Sequence, residues 1–533
     1  MKMKNGMVFL AVFLCLISSG SSSGSAVSAS AVSASAAEKS NLVLDLSYGP
    51  HAVGFRVVRQ YDQTRSYRRV DAEGHLISET ARPMQTLIWY PAQPEKNAKP
   101  MLYGSYLDLF ATEENFSVPE SEWAAKVRIA LQIGSNLKNY DREKVQVTRA
   151  YRDARAESGR FPVLIYAPSF SAPAFENSDL CEFLASHGYI VVSSPDMGAH
   201  RRGMTGDLEG VEAQAGDIEF LVGYLFKIPE ADTAHIAVAG FSWGGMSDVF
   251  AAAHDDRISA IISLDGTVRY LPALVKKAVD AQILDPRRLT APYLYFASKP
   301  DTLEDMSRSK ADISYSFLNE LKYDDFYFLQ SAIMIHPDYC SFYIRFREDH
   351  MFSDYSQADV GQSYSWMARY VLQFLNAYLK NDAAGLQFLK NSPEKNSVPR
   401  FLFSENSREA LRPAPTIPDF ARALASEGFD KATAVYQKAK QNDPSFKLDE
   451  GLVNYWGYEL LFNGKLPQAV AIFKLNAAMY PESANVYDSL AEAEADSGDK
   501  AAAIANYRKS LEINPDNWNA KSHLKDLEGE KKQ

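Results

Sequence analysis

The residues best suited to chemistry lie in AVAGFSWGGMSD, positions 237–248, where Gly240, Phe241, Ser242, Trp243 and Gly244 form a Gly-x-Ser-x-Gly core. A strand that turns abruptly into a helix needs small residues on both sides of the turning position. Such an elbow lifts a serine hydroxyl above the sheet as a nucleophile. That hydroxyl needs a base to take its proton, and the base needs an anion to hold its tautomer. The chain order for such an elbow is serine, acid, histidine. Beyond the first candidate acid, Asp265, three histidines follow: His336, His350 and His523. His523 belongs to a helical tail, and His336 precedes Pro337 on the approach to FYIRF (342–346), which reads as the last strand. His350, in REDHMFSDY, emerges beyond that strand at the site edge and is the expected base. For the acid, two positions stand nearly even: Asp265, ending ISAIISLDG with Gly266 giving room to bend, and Asp301 in SKPD.

The elements that must position these residues alternate between short apolar runs and helical patterns from about 51 to 380. The runs are HAVGFRVVRQY (51–61), MQTLIWYPA (84–92), PVLIYAPS (162–169), YIVVSSPDMG (189–198), HIAVAG (235–240), ISAIISLDG (258–266), PYLYFAS (292–298) and FYIRF. The expectation is an α/β fold: a mostly parallel eight-stranded sheet with helices on both faces. Right-handed crossovers then bring the strand C-termini to one edge, with Ser242 on it. Two insertions, 101–158 with helical SEWAAKVRIALQIGSNL and 270–284 (YLPALVKKAVDAQIL), read equally as lids or as packing elements.

The chain of 533 residues is 46% hydrophobic and 23% charged, which is globular rather than disordered. Its net charge of -11 carries no basic stripe, which excludes nucleic acid as a partner. Lys2 and Lys4 precede MVFLAVFLCLI (7–17), too short to span a bilayer, and a Ser/Ala-rich tract runs to Ala37. Residues 1–37 therefore read as a signal peptide cut near ASAA, and the expected location is exported, periplasmic or secreted, with no transmembrane segment in the mature chain. Leu14 stands before Cys15 where a lipoprotein signal wants a small residue. The remaining cysteines, Cys181 and Cys340, are too few for a disulfide scaffold and are expected unpaired, with Cys340 at the end of the sheet away from the site.

The expected division is a catalytic domain over 38–400, a Pro-rich linker over 401–420 containing LRPAPTIPDF, and helical repeats over 421–530. In the repeats Gly464 recurs as Gly498, Ala469 as Ala503, Val470 as Ile504, Phe473 as Tyr507 and Pro481 as Pro515, each a step of 34. This period resembles tetratricopeptide repeats, which would either dock on the catalytic domain or hold a protein partner.

Taken together, GPHAVGFR (49–56), LIWYPAQ (87–93), FPVLIYAPSFSA, LASHGYIVVSSPD, the serine elbow, SLDG and the histidine loop resemble the platelet-activating-factor acetylhydrolase family. The resemblance covers about 330 residues and implies an α/β-hydrolase fold and a serine esterase, with small-molecule or lipid esters as substrate, such as short or oxidised acyl chains of phospholipids. Dienelactone-hydrolase or peptidase chemistry would use the same machinery. Another reading makes the repeats the working part and the hydrolase domain a scaffold. In the resembling family the acid follows the next strand within a Leu-Asp motif, which selects Asp265 after Leu264. The implied oxyanion donors are the backbone N–H groups of Phe170 and Trp243, although Ala167, Pro168 and Ser169 stand where the family carries Ser-His-Gly. No metal or organic cofactor is implied.

Overall fold

The computed structural model describes residues 40, 42–70, 75–134, 139–300, 311–347, 352, 354–411, 417–442, 444 and 446–529. The expected signal peptide, Asp301 and His350 lie outside the described residues. The chain divides into two compact units that part between Ala410 and Leu411.

The first unit is built on one sheet of eleven strands among the described residues. They are β1 (Ala52–Val70), β2 (Leu76–Gln93), β3 (Ala150–Arg152), β4 (Arg155–Ala156), β5 (Phe161–Ala167), β6 (Ile190–Ser193), β7 (Ala231–Phe241), β8 (Ile258–Leu264), β9 (Tyr293–Ala297), β10 (Phe326–Ser331) and β11 (Phe403–Arg408). The order across the sheet is β11-β10-β9-β8-β7-β5-β6-β2-β1-β3, with β4 beside β2. From β6 to β10 the pairings are parallel, while β2 runs antiparallel to both β6 and β1. A crossed-over parallel sheet led by an antiparallel strand pair is the α/β-hydrolase architecture, and a second, all-helical region follows it.

Period-two side-chain alternation divides the core between the sheet's two faces. Leu164, Tyr166, Ala237, Ala239, Ile262, Leu264, Leu294 and Phe296 pack on one side, with the helices Ser178–Ser186 and Gln357–Leu379. Val163, Ile165, Ile236, Val238, Ile261, Tyr293 and Tyr295 pack on the other, with Leu208–Tyr224 and Trp243–His254. Near-continuous apolar strands are what burial on both faces requires.

Two segments differ from the sequence expectation. FYIRF is not a strand: Ser341–Phe346 is a short helix, in which the Phe342 and Phe346 rings, one turn apart, meet at a tilt with their centroids 4.7 Å apart. The last parallel strand is instead FYFLQS, β10, which follows the polar stretch KYDD. Residues 403–408, inside the expected linker, form β11 and close the sheet edge antiparallel to β10. Cys340 accordingly lies four residues after His336, not at the far end of the sheet, and both Cys181 and Cys340 are buried free thiols.

The second unit repeats helix pairs. Glu450–Phe462 and Leu466–Met479 are followed by Ala484–Asp496 and Lys500–Ile513, and then by Trp518–Gly529. Gly464 and Gly498 end the first helix of each pair with φ of 71° and 85°, a left-handed turn that favours glycine. Ala469, Phe473, Ala503 and Tyr507, the small and aromatic residues of the 34-residue period, are all buried. Among the described residues no helix is long and apolar enough to cross a membrane.

Candidate active site

Ser242 turns between β7 and the helix Trp243–His254 with φ 56° and ψ -115°, a strained backbone for a residue with a side chain. Its neighbours hold it there. The Ser242 N–H donates to the Leu264 carbonyl at 3.1 Å, and the Ser242 carbonyl accepts from the Thr267 N–H at 2.9 Å. Small residues flank the turn for a visible reason: a Cβ on Gly240 would sit 2.2 Å from the Gly244 carbonyl carbon, and one on Gly244 would sit 2.1 Å from the Ala167 oxygen. Close approach of helix to strand is therefore what the motif encodes.

The Ser242 hydroxyl lies 2.8 Å from His336 Nε2, and His336 Nδ1 lies 2.7 Å from Asp265 Oδ2. An ionised carboxylate only accepts, so Nδ1–H donates to Asp265 and Nε2 is left to accept the serine proton. The imidazole brought to Ser242 is thus that of His336, which corrects the expectation of His350. The reason is topological. With β10 as the last strand, the site-edge loop that follows it begins at Ala332, and His336 stands within that loop. Ser331 Oγ accepts from the N–H groups of Ile333 and Met334, Asp338 Oδ2 accepts from the Ile335 N–H, and Arg347 pairs with Asp338.

Asp265 follows β8 and is fully buried. Burial pushes its carboxyl up, but the His336 hydrogen bond and charge, Arg269 and the Ser298 N–H together outweigh it and hold it below its usual value. Its Oδ2 also accepts from the Tyr270 hydroxyl at 3.0 Å, and its Oδ1 accepts from Ser298 N–H at 3.2 Å and faces Arg269 Nε at 3.7 Å. The Tyr270 ring meets His336 edge-on at 5.3 Å, and the Phe241 ring lies 5.0 Å away. Sequence reasoning missed Arg269, Tyr270 and Ser298. Their one signal was nearness to the two competing acid positions, since Arg269 and Tyr270 follow Asp265 closely and Ser298 precedes Asp301.

The two expected oxyanion donors lie on different elements. Trp243 opens the helix after it, and Phe170 lies in the loop after β5. Their rings meet edge-on at 5.2 Å and 89°. The Trp243 ring is fully buried in the core on that face of the sheet. That loop is fixed on its far side by Asp196, whose Oδ2 accepts from the Ser171 N–H at 2.7 Å, and by Arg202, which donates to the Ser171, Ala172 and Asp196 carbonyls and pairs with Glu113 of the first insertion. The insertion thereby braces the site loop. Among the described residues no cluster of His, Cys, Asp and Glu is arranged to hold a metal ion.

No family model matches the chain. Over 156 residues it is 28% identical to a Methylorubrum extorquens protein named "Putative carboxymethylenebutenolidase", covering 27% of this chain and 49% of that one. The chain thus spans about half the length of that relative. A ferulic acid esterase from Streptomyces cinnamoneus is a structural neighbour with a TM-score of 0.47 and 18% identity, over 69% of this chain and 98% of that one.

Proposed function

We propose that the protein is a serine hydrolase of carboxylic esters. The observation that carries this reading is the single imidazole hydrogen-bonded to both Ser242 Oγ and Asp265. Ser242 attacks the ester carbonyl while His336 Nε2 takes its proton. Asp265 holds the ring in the tautomer that leaves Nε2 free to do so, and steadies the imidazolium. The oxygen that becomes negative is met by the backbone N–H groups of Phe170 and Trp243. His336 then gives its proton to the departing alcohol, and water, activated by the same imidazole, releases the acyl group.

The substrates are small esters, with short or oxidised acyl chains of phospholipids as the class implied by the acetylhydrolase resemblance. The match to the carboxymethylenebutenolidase-named protein favours a second substrate form, a lactone, because a ring ester is opened by the same steps. The leader read in the first 37 residues would export the enzyme, and the tetratricopeptide-like tail supplies no catalytic group. A fluorophosphonate probe tests the reading directly: it labels the wild type and spares Ser242→Ala, and the labelled protein loses p-nitrophenyl acetate hydrolysis. Labelling that persists in Ser242→Ala removes the nucleophile assignment.

A further inference from the structure

One buried carboxyl outside the triad ties together the loop after β5, which carries Phe170, and the segment that follows His336. Glu176 is 1% exposed. Its Oε1 accepts from the Ser169 N–H at 2.7 Å and from the Tyr166 hydroxyl at 2.9 Å, and its Oε2 accepts from Ser169 Oγ at 2.7 Å. Ser169 directly precedes Phe170, so these bonds fix the start of the peptide that carries the Phe170 N–H. The Glu176 carbonyl faces the other way, accepting from the Phe342 N–H at 2.9 Å and the Cys340 thiol at 3.2 Å. The neighbouring Asn177 accepts from the Ser341 N–H at 2.8 Å and donates to the Tyr339 carbonyl and the Tyr166 hydroxyl, each at 2.9 Å. Loop 168–171 and the segment that follows His336 therefore hang on the same two residues.

The arrangement costs stability. Burial pushes the Glu176 carboxyl up to about 7, against the Ser169 and Tyr166 hydrogen bonds that favour its charge. The titratable groups facing it are Tyr166 from β5, Cys181 from the helix Ser178–Ser186, and Cys340 and Tyr343 from the histidine side, all phenols and thiols that burial pushes up. Among the described residues no basic side chain is among the groups acting on it. A buried acid without a cation is disfavoured by desolvation, so its hydrogen-bonding geometry is what it contributes.

We infer that Glu176 is a positioning residue for the ester hydrolysis, holding the Ser169–Phe170 peptide in register with the His336 turn so that the Phe170 N–H meets the developing oxyanion. The inference rests on the serine-hydrolase reading. A donor that acts as charge develops affects kcat and leaves KM nearly unchanged.

The test uses full-length protein and p-nitrophenyl acetate, with kcat expressed per site titrated to completion by fluorophosphonate, so that unfolded molecules are not counted. Glu176→Ala is expected to lower kcat about 100-fold with KM within about twofold. Glu176→Gln keeps an acceptor for the Ser169 and Tyr166 donors and is expected to stay within about threefold of wild type. A folded Glu176→Ala protein with wild-type kcat overturns the inference, as does a loss in Glu176→Gln equal to that in the alanine variant. Where Glu176→Ala does not fold, Ser169→Ala decides, because it removes only the Oγ bond: a kcat loss of about three- to tenfold supports the inference and an unchanged kcat overturns it. Ser242→Ala separates the two levels. Activity retained there sinks the serine reading itself, whereas an inactive Ser242→Ala beside an unimpaired Glu176→Ala sinks the positioning role alone.

Discussion

The glycines of the serine elbow and those of the helix-pair turns serve opposite purposes. In the α/β unit Gly240 and Gly244 are set by what surrounds them: a Cβ would strike backbone atoms of the elbow or of the β5 end at about van der Waals-forbidden distances of 2.2 and 2.1 Å. In the helical unit Gly464 and Gly498 have open space where a Cβ would be, and what they supply is a positive φ at a local turn. Buried charge divides the same way. Among the described residues twelve acids are buried in the first unit, Glu176 and Asp265 among them, whereas Glu494 is the buried acid of the second. The lesson is that long-range constraint and reactive groups coincide, because strain at Ser242 and charge at Asp265 persist only where surrounding structure over-determines them. The tail is assembled from short-range repeats that need no such support.

The largest effects should come from breaking the constrained side. His336→Ala is expected to lower kcat on p-nitrophenyl acetate by about 10⁴-fold or more, since base and nucleophile act as a unit. His350→Ala should remain within about twofold, a change typical of a residue outside the reacting groups. The opposite ranking would return the base to His350. Asp265→Asn should cost about 10⁴-fold by favouring the wrong tautomer, and Asp301→Asn should cost little.

How much of this was legible follows from the same division. The elbow could be read from five residues because its small neighbours are adjacent in sequence. Asp265 could be narrowed to two positions because β8 and β9 are unmistakably apolar. The base could not be read, because choosing between His336 and His350 requires knowing which aromatic run is the last strand. FYFLQS and FYIRF are both short, and periodicity does not separate a short buried strand from a short helix. The register of β10 on β9 decides it, and that pairing is tertiary. Glu176 was invisible for a related reason: its partners are Tyr166, Ser169 and the carbonyl-side donors of the histidine segment, which only the fold brings together. The 34-residue period, by contrast, was readable because its contacts are local.

A next-smaller effect sharpens the elbow itself. Gly244→Ala places a methyl against the Ala167 oxygen, so either the helix start or the β5 end must shift. The expected cost is about 1–3 kcal/mol of stability, with activity down about 100-fold because displacing the nucleophile by even an ångström is enough. A melting curve and kcat per titrated site measure the two separately; a variant with unchanged turnover would mean that the elbow tolerates the displacement.

The buried acid gives a pH signature of intermediate size. Glu176 has a carboxyl near pH 7 in the fold and near its ordinary 4.5 when unfolded. Between those values the folded state binds the extra proton, so stability falls as pH rises through the window. The cost is absent below about 4.5 and fully present above about 7, and its size is on the order of 3 kcal/mol. Glu176→Gln never ionises and escapes it. Its melting temperature, compared with wild type at pH 5 and pH 8, should gain at the higher pH. A difference that does not change between those pH values would place the carboxyl outside the window.

The smallest effect belongs to the tail and tests the contrast from its other end. Gly498 leaves the helix Ala484–Asp496 at φ 85°, its N–H bonded to the Ala495 carbonyl, with nothing within reach of an added Cβ. Gly498→Ala therefore introduces no clash, and only the left-handed backbone resists it, at about 1 kcal/mol. Because the proposed triad of Ser242, His336 and Asp265 lies before Ala410, kcat on a small ester should not change at all. The measurement is a pair of melting curves with turnover of each protein on p-nitrophenyl acetate. If the alanine leaves the tail's melting untouched, the turn does not depend on glycine's positive φ. If it lowers turnover per titrated site, the local tail and the constrained catalytic unit are coupled, and the division drawn between them fails.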